Sequence, residues 1–119
     1  MSVERLSKRA LQKILGGSVK EEATCVVKFY SNGCHFCQNL QDIYEDIAGK
    51  YENIYFFAFN IEDYPAVQKV MKFKGVPTIG LIESGGSHPR IRLMEEPTKP
   101  NKKSWYVQKD IEEFIEKEK

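Results

Sequence analysis

Three cysteines, one tryptophan and almost no net charge are what this chain of 119 residues offers, and each scarcity excludes something. Three cysteines cannot build a disulfide framework. The 18 basic and 17 acidic residues leave a formal charge of +1, so no strong field gathers nucleic acid or anionic lipid, and neither is expected as a partner. The longest nearly apolar stretch, Ile54 to Phe59, is far short of the roughly 20 residues that span a bilayer. The opening "MSVERLSKRALQKILGG" carries charge throughout and lacks the apolar centre of a secretory signal. The expected location is therefore the compartment of synthesis, a reducing cytoplasm. Internal repeats and low-complexity tracts are also missing.

What is present is the composition of an ordinary globular protein, 41% hydrophobic and 29% charged, and the length suits one domain over residues 1–119 with its own apolar core. "VERL" reads as a short edge strand. Ser7 would cap a helix striped by Leu11, Ile14 and Leu15 and ended by Gly16 and Gly17. "TCVVKFY", Thr24 to Tyr30, is continuously β-branched and aromatic, as in a central strand covered on both faces. A turn at Ser31, Asn32 and Gly33 leads to a helix with Leu40, Ile43, Tyr44 and Ile47 on one face, lasting until Gly49. "NIYFFAF", Asn53 to Phe59, reads as a second buried strand. In "EDYPAVQKVMKF", Asp63 is the expected cap, Pro65 sits in the first turn, and Val67, Val70 and Met71 face inward. "GVPTIGLIESGGSHPRIRLM" gives a hairpin around a glycine-rich turn, residues 95–104 an exposed loop, and Ile111, Phe114 and Ile115 a closing amphipathic helix. The order β-α-β-α-β-α-β-β-α implies an α/β fold, a mixed sheet with helices on both faces.

Two of the three cysteines stand as Cys34-His35-Phe36-Cys37. At i and i+3 of a first helical turn the two sulfurs meet. The first lies at the helix end, where free N–H groups and the macrodipole favour a thiolate. Disulfide exchange needs such an attacking thiolate and a second thiol to release the mixed disulfide. Cys34 is thus the expected nucleophile and Cys37 the resolving thiol. A zinc site would need two further ligands. Only Cys25, His35 and His88 are on offer, and Cys25 stands roughly 20–25 Å upstream along a strand at about 3.3 Å per residue. No metal is expected, and Cys25 reads as a small buried hydrophobe. His35 would tune the couple by donating to or attracting the thiolate, unless it merely faces solvent. Phe36 would touch a substrate protein or cover the sulfurs.

The runs "VVKFYSNGCHFC", "FNIEDYP" and "FKGVPT", with a hairpin and helix after them, resemble the thioredoxin superfamily from "VERLS" to "DIEEFIEK". "KFY" before the motif is closer to protein disulfide isomerase domains than to bacterial thioredoxins. The resemblance implies a thioredoxin fold and a thiol–disulfide oxidoreductase acting on protein dithiols and disulfides. It implies no cofactor, a separate reductase or oxidant as redox partner, and action as a monomer. It assigns Cys34 and Cys37 the same roles. It also places substrate backbone beside Gly75, Val76 and Pro77, with the Val76–Pro77 bond cis.

Several positions depart from the family. Lys28 replaces a buried acid beneath the resolving cysteine, and Ala58 stands where thioredoxins keep that acid's lysine partner. Lys28 is expected to alter the proton route, as a neutral base or as a cation favouring a Cys37 thiolate; otherwise it snorkels to the surface. Gly33 replaces a tryptophan, and Asp42 stands near a kinking proline. The loop at 95–104 is long, and Trp105 and Tyr106 beyond it are either core packing for the last helix, the favoured reading, or a binding patch. The alternative to an enzyme is a module that keeps the fold and the groove beside Pro77 for recognition only.

Overall fold

The computed structural model describes residues 3–86 and 88–119. Five strands form one sheet: β1 (Val3–Arg5), β2 (Thr24–Tyr30), β3 (Ile54–Asn60), β4 (Thr78–Glu83) and β5 (Arg90–Leu93). Their spatial order is β1-β3-β2-β4-β5. The first three run parallel, and the hairpin strands β4 and β5 are each antiparallel to the neighbour before them. Among the described residues, four α-helices complete the fold: α1 (Lys8–Leu15), α2 (His35–Ala48), α3 (Val67–Met71) and α4 (Gln108–Glu118). No helix among the described residues is long and apolar enough to cross a membrane.

Central placement explains the continuous apolar run of β2. With both faces covered, its middle five residues are all buried, and they alternate between two cores. Val26 points to the face carrying α2 and α4, with Leu40, Tyr44, Ile47, Ile111 and Ile115. Val27 and Phe29 point to the face carrying α1 and α3, with Leu11, Ile14, Phe59, Val67 and Met71. The edge of Phe29 meets the ring of Phe59 at 5.9 Å.

Local signals set most boundaries. The Ser7 hydroxyl accepts from the Ala10 N–H at 3.1 Å and caps α1, whose last turn closes at Gly16 before Gly17 takes φ 76°. In the hairpin, Gly85 has φ 108°, and a Cβ there would lie 2.5 Å from Glu22 Cγ, so both backbone and neighbour demand glycine. Ser87 of the same expected turn lies outside the described residues, as do Met1 and Ser2.

Three expectations need correction. β3 is shifted one residue along the chain, and it is not buried throughout: Tyr55 is 55% exposed because only the short β1 lies beyond it. Asp63 caps nothing. It ends a one-turn 3-10 helix (Ile61–Asp63), and its carboxylate accepts from the Arg5 guanidinium at 2.8 Å. α3 is then only five residues long, so it buries Val67 and Met71 and leaves Val70 52% exposed.

Candidate active site

The site begins where β2 ends. Asn32, in the turn after Tyr30, is held by the Glu62 carboxylate, which accepts from its backbone N–H at 2.9 Å and from its side-chain amide at 3.1 Å. Asn60, itself buried, donates to the Asn32 side-chain oxygen at 2.8 Å. The end of β3 thus clamps the segment that delivers the cysteines. Neither Asn32 nor Glu62 carried any sequence signal for this, since the contact joins residues 30 apart through paired strand ends.

Cys34 is the N-cap of α2, and its Sγ accepts from the Cys37 backbone N–H at 3.1 Å. This is the place a capping Ser or Asp oxygen usually takes. Cys34 and Cys37 are joined as a disulfide, with Cα atoms 5.2 Å apart. Cys34 is half-buried, whereas Cys37 is only 3% exposed, on the inner face of the helix. Cys34 is therefore the more accessible of the two, and Cys37 borders only the cleft behind the helix. The donor at Cys34 Sγ is thus backbone; the His35 side chain is exposed at the start of the helix. α2 continues unbroken through Asp42, and Gly33 is exposed with open space beside it. Cys25 is buried in mid-strand, and burial pushes its thiol up to about 11. Among the described residues no group of three or more His, Cys, Asp or Glu is placed to hold a metal.

A groove of about 750 Å³ lies at the N-terminal end of β4, bordered by Gly75, Val76, Pro77, Leu93, Met94 and Trp105. The Val76–Pro77 peptide bond is cis, and the Thr78 hydroxyl donates to the Gly75 carbonyl at 2.6 Å, closing the turn. Phe29 pairs with Thr78 across the sheet, so the start of β4 lies beside the end of β2, close to the cysteine-bearing turn. The loop at 95–104 supplies the outer wall. Asn39 of α2 donates to the Lys103 carbonyl at 2.9 Å, and Asn101 pairs with Trp105 backbone to backbone. Trp105, at φ 67°, lies 5.3 Å from Phe36. Of the two residues after the loop, Tyr106 is core, 1% exposed, and Trp105 is half-buried, packing against that same core while it borders the groove. A lone tryptophan after a polar loop did not reveal that it would serve the core and the groove together.

Lys28 is buried, 6% exposed, on the α2 side of β2 and paired with Ala58 of β3, and it borders a cleft rather than the outer surface. It shares a cleft of about 380 Å³ with Cys37, Tyr44, Glu45 and Arg5. Burial lowers its pKa, and the charge of Glu45 works against that shift. The Tyr44 hydroxyl reaches the carbonyls of both Phe57 (2.7 Å) and Val26 (3.0 Å), tying α2 to two strands.

Comparison with known proteins agrees with this geometry. The pattern of the Thioredoxin family matches residues 3–115. Over 66 residues the chain is 26% identical to Thioredoxin H2-2 of Oryza sativa subsp. japonica and 24% identical to Thioredoxin H5 of Arabidopsis thaliana. Each match covers 56% of this chain, and the chain spans about half the length of these curated relatives, 49% and 56%. Among solved structures, thioredoxin f from spinach chloroplast superimposes with a TM-score of 0.70 at 16% identity, over 98% of this chain and 92% of that one. The Trx4 domain of ERdj5 gives 0.70 at 18% identity, over 98% and 93%. Thioredoxin f2, solved in complex with ferredoxin:thioredoxin reductase, gives 0.70 at 17%, over 98% and 94%. With the sheet order, the cysteine pair at the start of α2 and the matched pattern in agreement, the chain belongs to the thioredoxin family.

Proposed function

We propose that this protein is a thiol–disulfide oxidoreductase acting on protein disulfides through the Cys34–Cys37 couple. One observation carries the reading: two cysteines joined across the first turn of α2, the first half-exposed and capped by backbone N–H, the second buried behind it. Helix-end N–H groups and the positive end of the macrodipole stabilise a thiolate at Cys34 more than a thiol, which suits it to be the attacking group. In the reducing direction, Cys34 thiolate attacks a substrate disulfide and one substrate sulfur leaves as thiolate. Cys37 then attacks Cys34 Sγ, releasing the second substrate sulfur and closing the protein disulfide. A separate dithiol reductant must reopen it. Support for such a partner comes from the related thioredoxin f2 found with a reductase.

The groove beside Pro77 suits an extended substrate segment. The backbone at Gly75 and Val76 offers strand-type hydrogen bonds to one incoming chain, and Pro77 has no N–H to compete. Phe36 and Trp105 supply apolar surface where the substrate cysteine must approach.

The test is a redox titration against glutathione, with an insulin-type protein disulfide as substrate. A reversible Cys34–Cys37 couple with protein turnover is expected, turnover being lost in Cys34→Ser. If no disulfide forms between these cysteines at any poise while peptide binding persists in Cys34→Ser, the chain is a recognition module and the enzymatic reading fails.

A further inference from the structure

Lys28 is the one buried cation among the described residues, and nothing in the exchange steps above employs it. Its ammonium has no salt-bridge partner among those residues. Yet no fully buried side-chain nitrogen there lacks a hydrogen-bond partner, so Lys28 Nζ is not completely sealed, and the opening available to it is the cleft that Lys28 lines. Cys37 forms part of the wall of that same cleft. We propose that Lys28 is a positioning residue that keeps its charge and stabilises the Cys37 thiolate whenever the Cys34–Cys37 disulfide is open. The inference rests on the exchange chemistry proposed above.

The surroundings distinguish a cation from a neutral base. Lys28 Nζ lies 5.2 Å from the ring centre of Tyr44 and 5.9 Å from that of Tyr30. Aromatic faces attract an ammonium and give a neutral amine no comparable gain. From α2, Glu45 adds a negative charge near it. From β1, the competing cation is Arg5, and Asp63 takes up that guanidinium at 2.8 Å. The paired residues on β3 and β4, Ala58 and Ile79, bring no ionisable group. Desolvation opposes the charge, and these contacts together with the open cleft offset it.

The consequence falls on the resolving step. Cys37 loses its proton to cleft water, and the thiolate attacks Cys34 Sγ of the mixed disulfide. The Cys34–Cys37 bond forms and the bond from Cys34 to the substrate sulfur breaks. The electron pair leaves on that substrate sulfur, which takes a proton from water. Lys28 neither gives nor accepts a proton; it makes the thiolate available at lower pH. Because a cation favours the ionised reduced form over the neutral disulfide, it also makes the couple more oxidising.

Lys28→Met keeps the length and removes the charge; Lys28→Arg keeps the charge. In a Cys34→Ser, Cys25→Ala background, ultraviolet thiolate absorbance follows Cys37 as the one remaining thiol, and in the protein with Cys34 and Cys37 both present the equilibrium with glutathione reads the potential. Lys28→Met should raise the Cys37 titration midpoint and make the couple more reducing by about tenfold in equilibrium constant, ~30 mV, while Lys28→Arg stays near the parent. The difference in potential should be absent at acid pH, open as the thiols ionise, and close again once Lys28 itself loses its proton. Superimposable thiolate titrations and potentials for parent and Lys28→Met overturn the proposal, as does a shift of the opposite sign. A slower exchange rate with both quantities unmoved overturns it too. Each of these outcomes presupposes a working couple in the parent, so failure here is distinct from failure of the disulfide itself.

Discussion

Val27 and Lys28 are consecutive on β2 and both are buried, yet they look into different chemistry. The face reached by Val27, under α1 and α3, has a wholly apolar buried cluster, with Phe29 packed against Phe59 and Phe73. The face reached by Lys28, under α2, holds a cation, a tyrosine hydroxyl bonded to two strand carbonyls, and a disulfide beside a cleft. One side holds the sheet together by exclusion of water. The other admits polar groups where each finds a partner or borders the cleft. Burial alone therefore says little about reactivity, as Cys25 and Cys37 show: both are nearly inaccessible, but only Cys37 has a sulfur partner and a polar cleft.

The sharpest way to break this contrast is at the cysteines. Cys34→Ser should abolish turnover, whereas Cys37→Ser should still attack and accumulate a mixed disulfide, visible as a substrate adduct on non-reducing gels. Cys25→Ala should keep turnover at the parental level. If Cys25→Ala loses exchange, the division between an inert and a reactive buried thiol is wrong.

On the apolar face the expected effects are on stability. Phe29→Ala should cost about 3–5 kcal/mol in urea unfolding, by lost transfer free energy plus the cavity left behind. On the polar face, Tyr44→Phe should cost roughly 1–3 kcal/mol, because the one buried hydroxyl hydrogen shared between two strand carbonyls is lost.

A pH series separates the faces further. The Cys25 thiol is raised from 9.0 to about 11 in the folded protein, so folding favours its neutral form. Its contribution is fully present below pH 9 and is lost as the pH rises towards 11. At about 1.4 kcal/mol per pH unit this amounts to roughly 2–3 kcal/mol. Cys25→Ala should flatten that part of the alkaline fall; parallel curves for the two proteins would refute the assignment.

The smallest effect belongs to the clamp on the cysteine turn. Glu62→Ala should cost about 1–2 kcal/mol or less, since the carboxylate is exposed although doubly bonded to Asn32. Exchange should slow more than stability falls if the clamp positions Cys34, which stopped-flow exchange against urea midpoints will show.

Much of this was legible in the residues. β2 matches Thr24 to Tyr30, because a strand covered on both faces needs an unbroken apolar run, and Ser7, Gly16 and Gly49 mark helix ends through backbone rules that act locally. The cysteine pair at the start of α2 follows from short-range spacing in the same way. Errors came where short elements depend on distant partners. α3 is too brief for its periodicity to fix which valine turns inward, and Asp63 found Arg5, 58 residues away, in place of a helix end.

The sequence by itself determined the order of strands and helices, the site of the cysteine pair and the burial of Cys25, since these rest on spacing, capping and hydrophobic pattern within a few residues. Only the tertiary structure decided that Trp105 lies against Phe36 while Tyr106 is core, that Glu62 holds Asn32, and that Lys28 shares a cleft with Cys37. Those contacts join residues tens of positions apart, and their geometry exists only once parallel strands have brought the ends of β2 and β3 and the start of α2 to one edge.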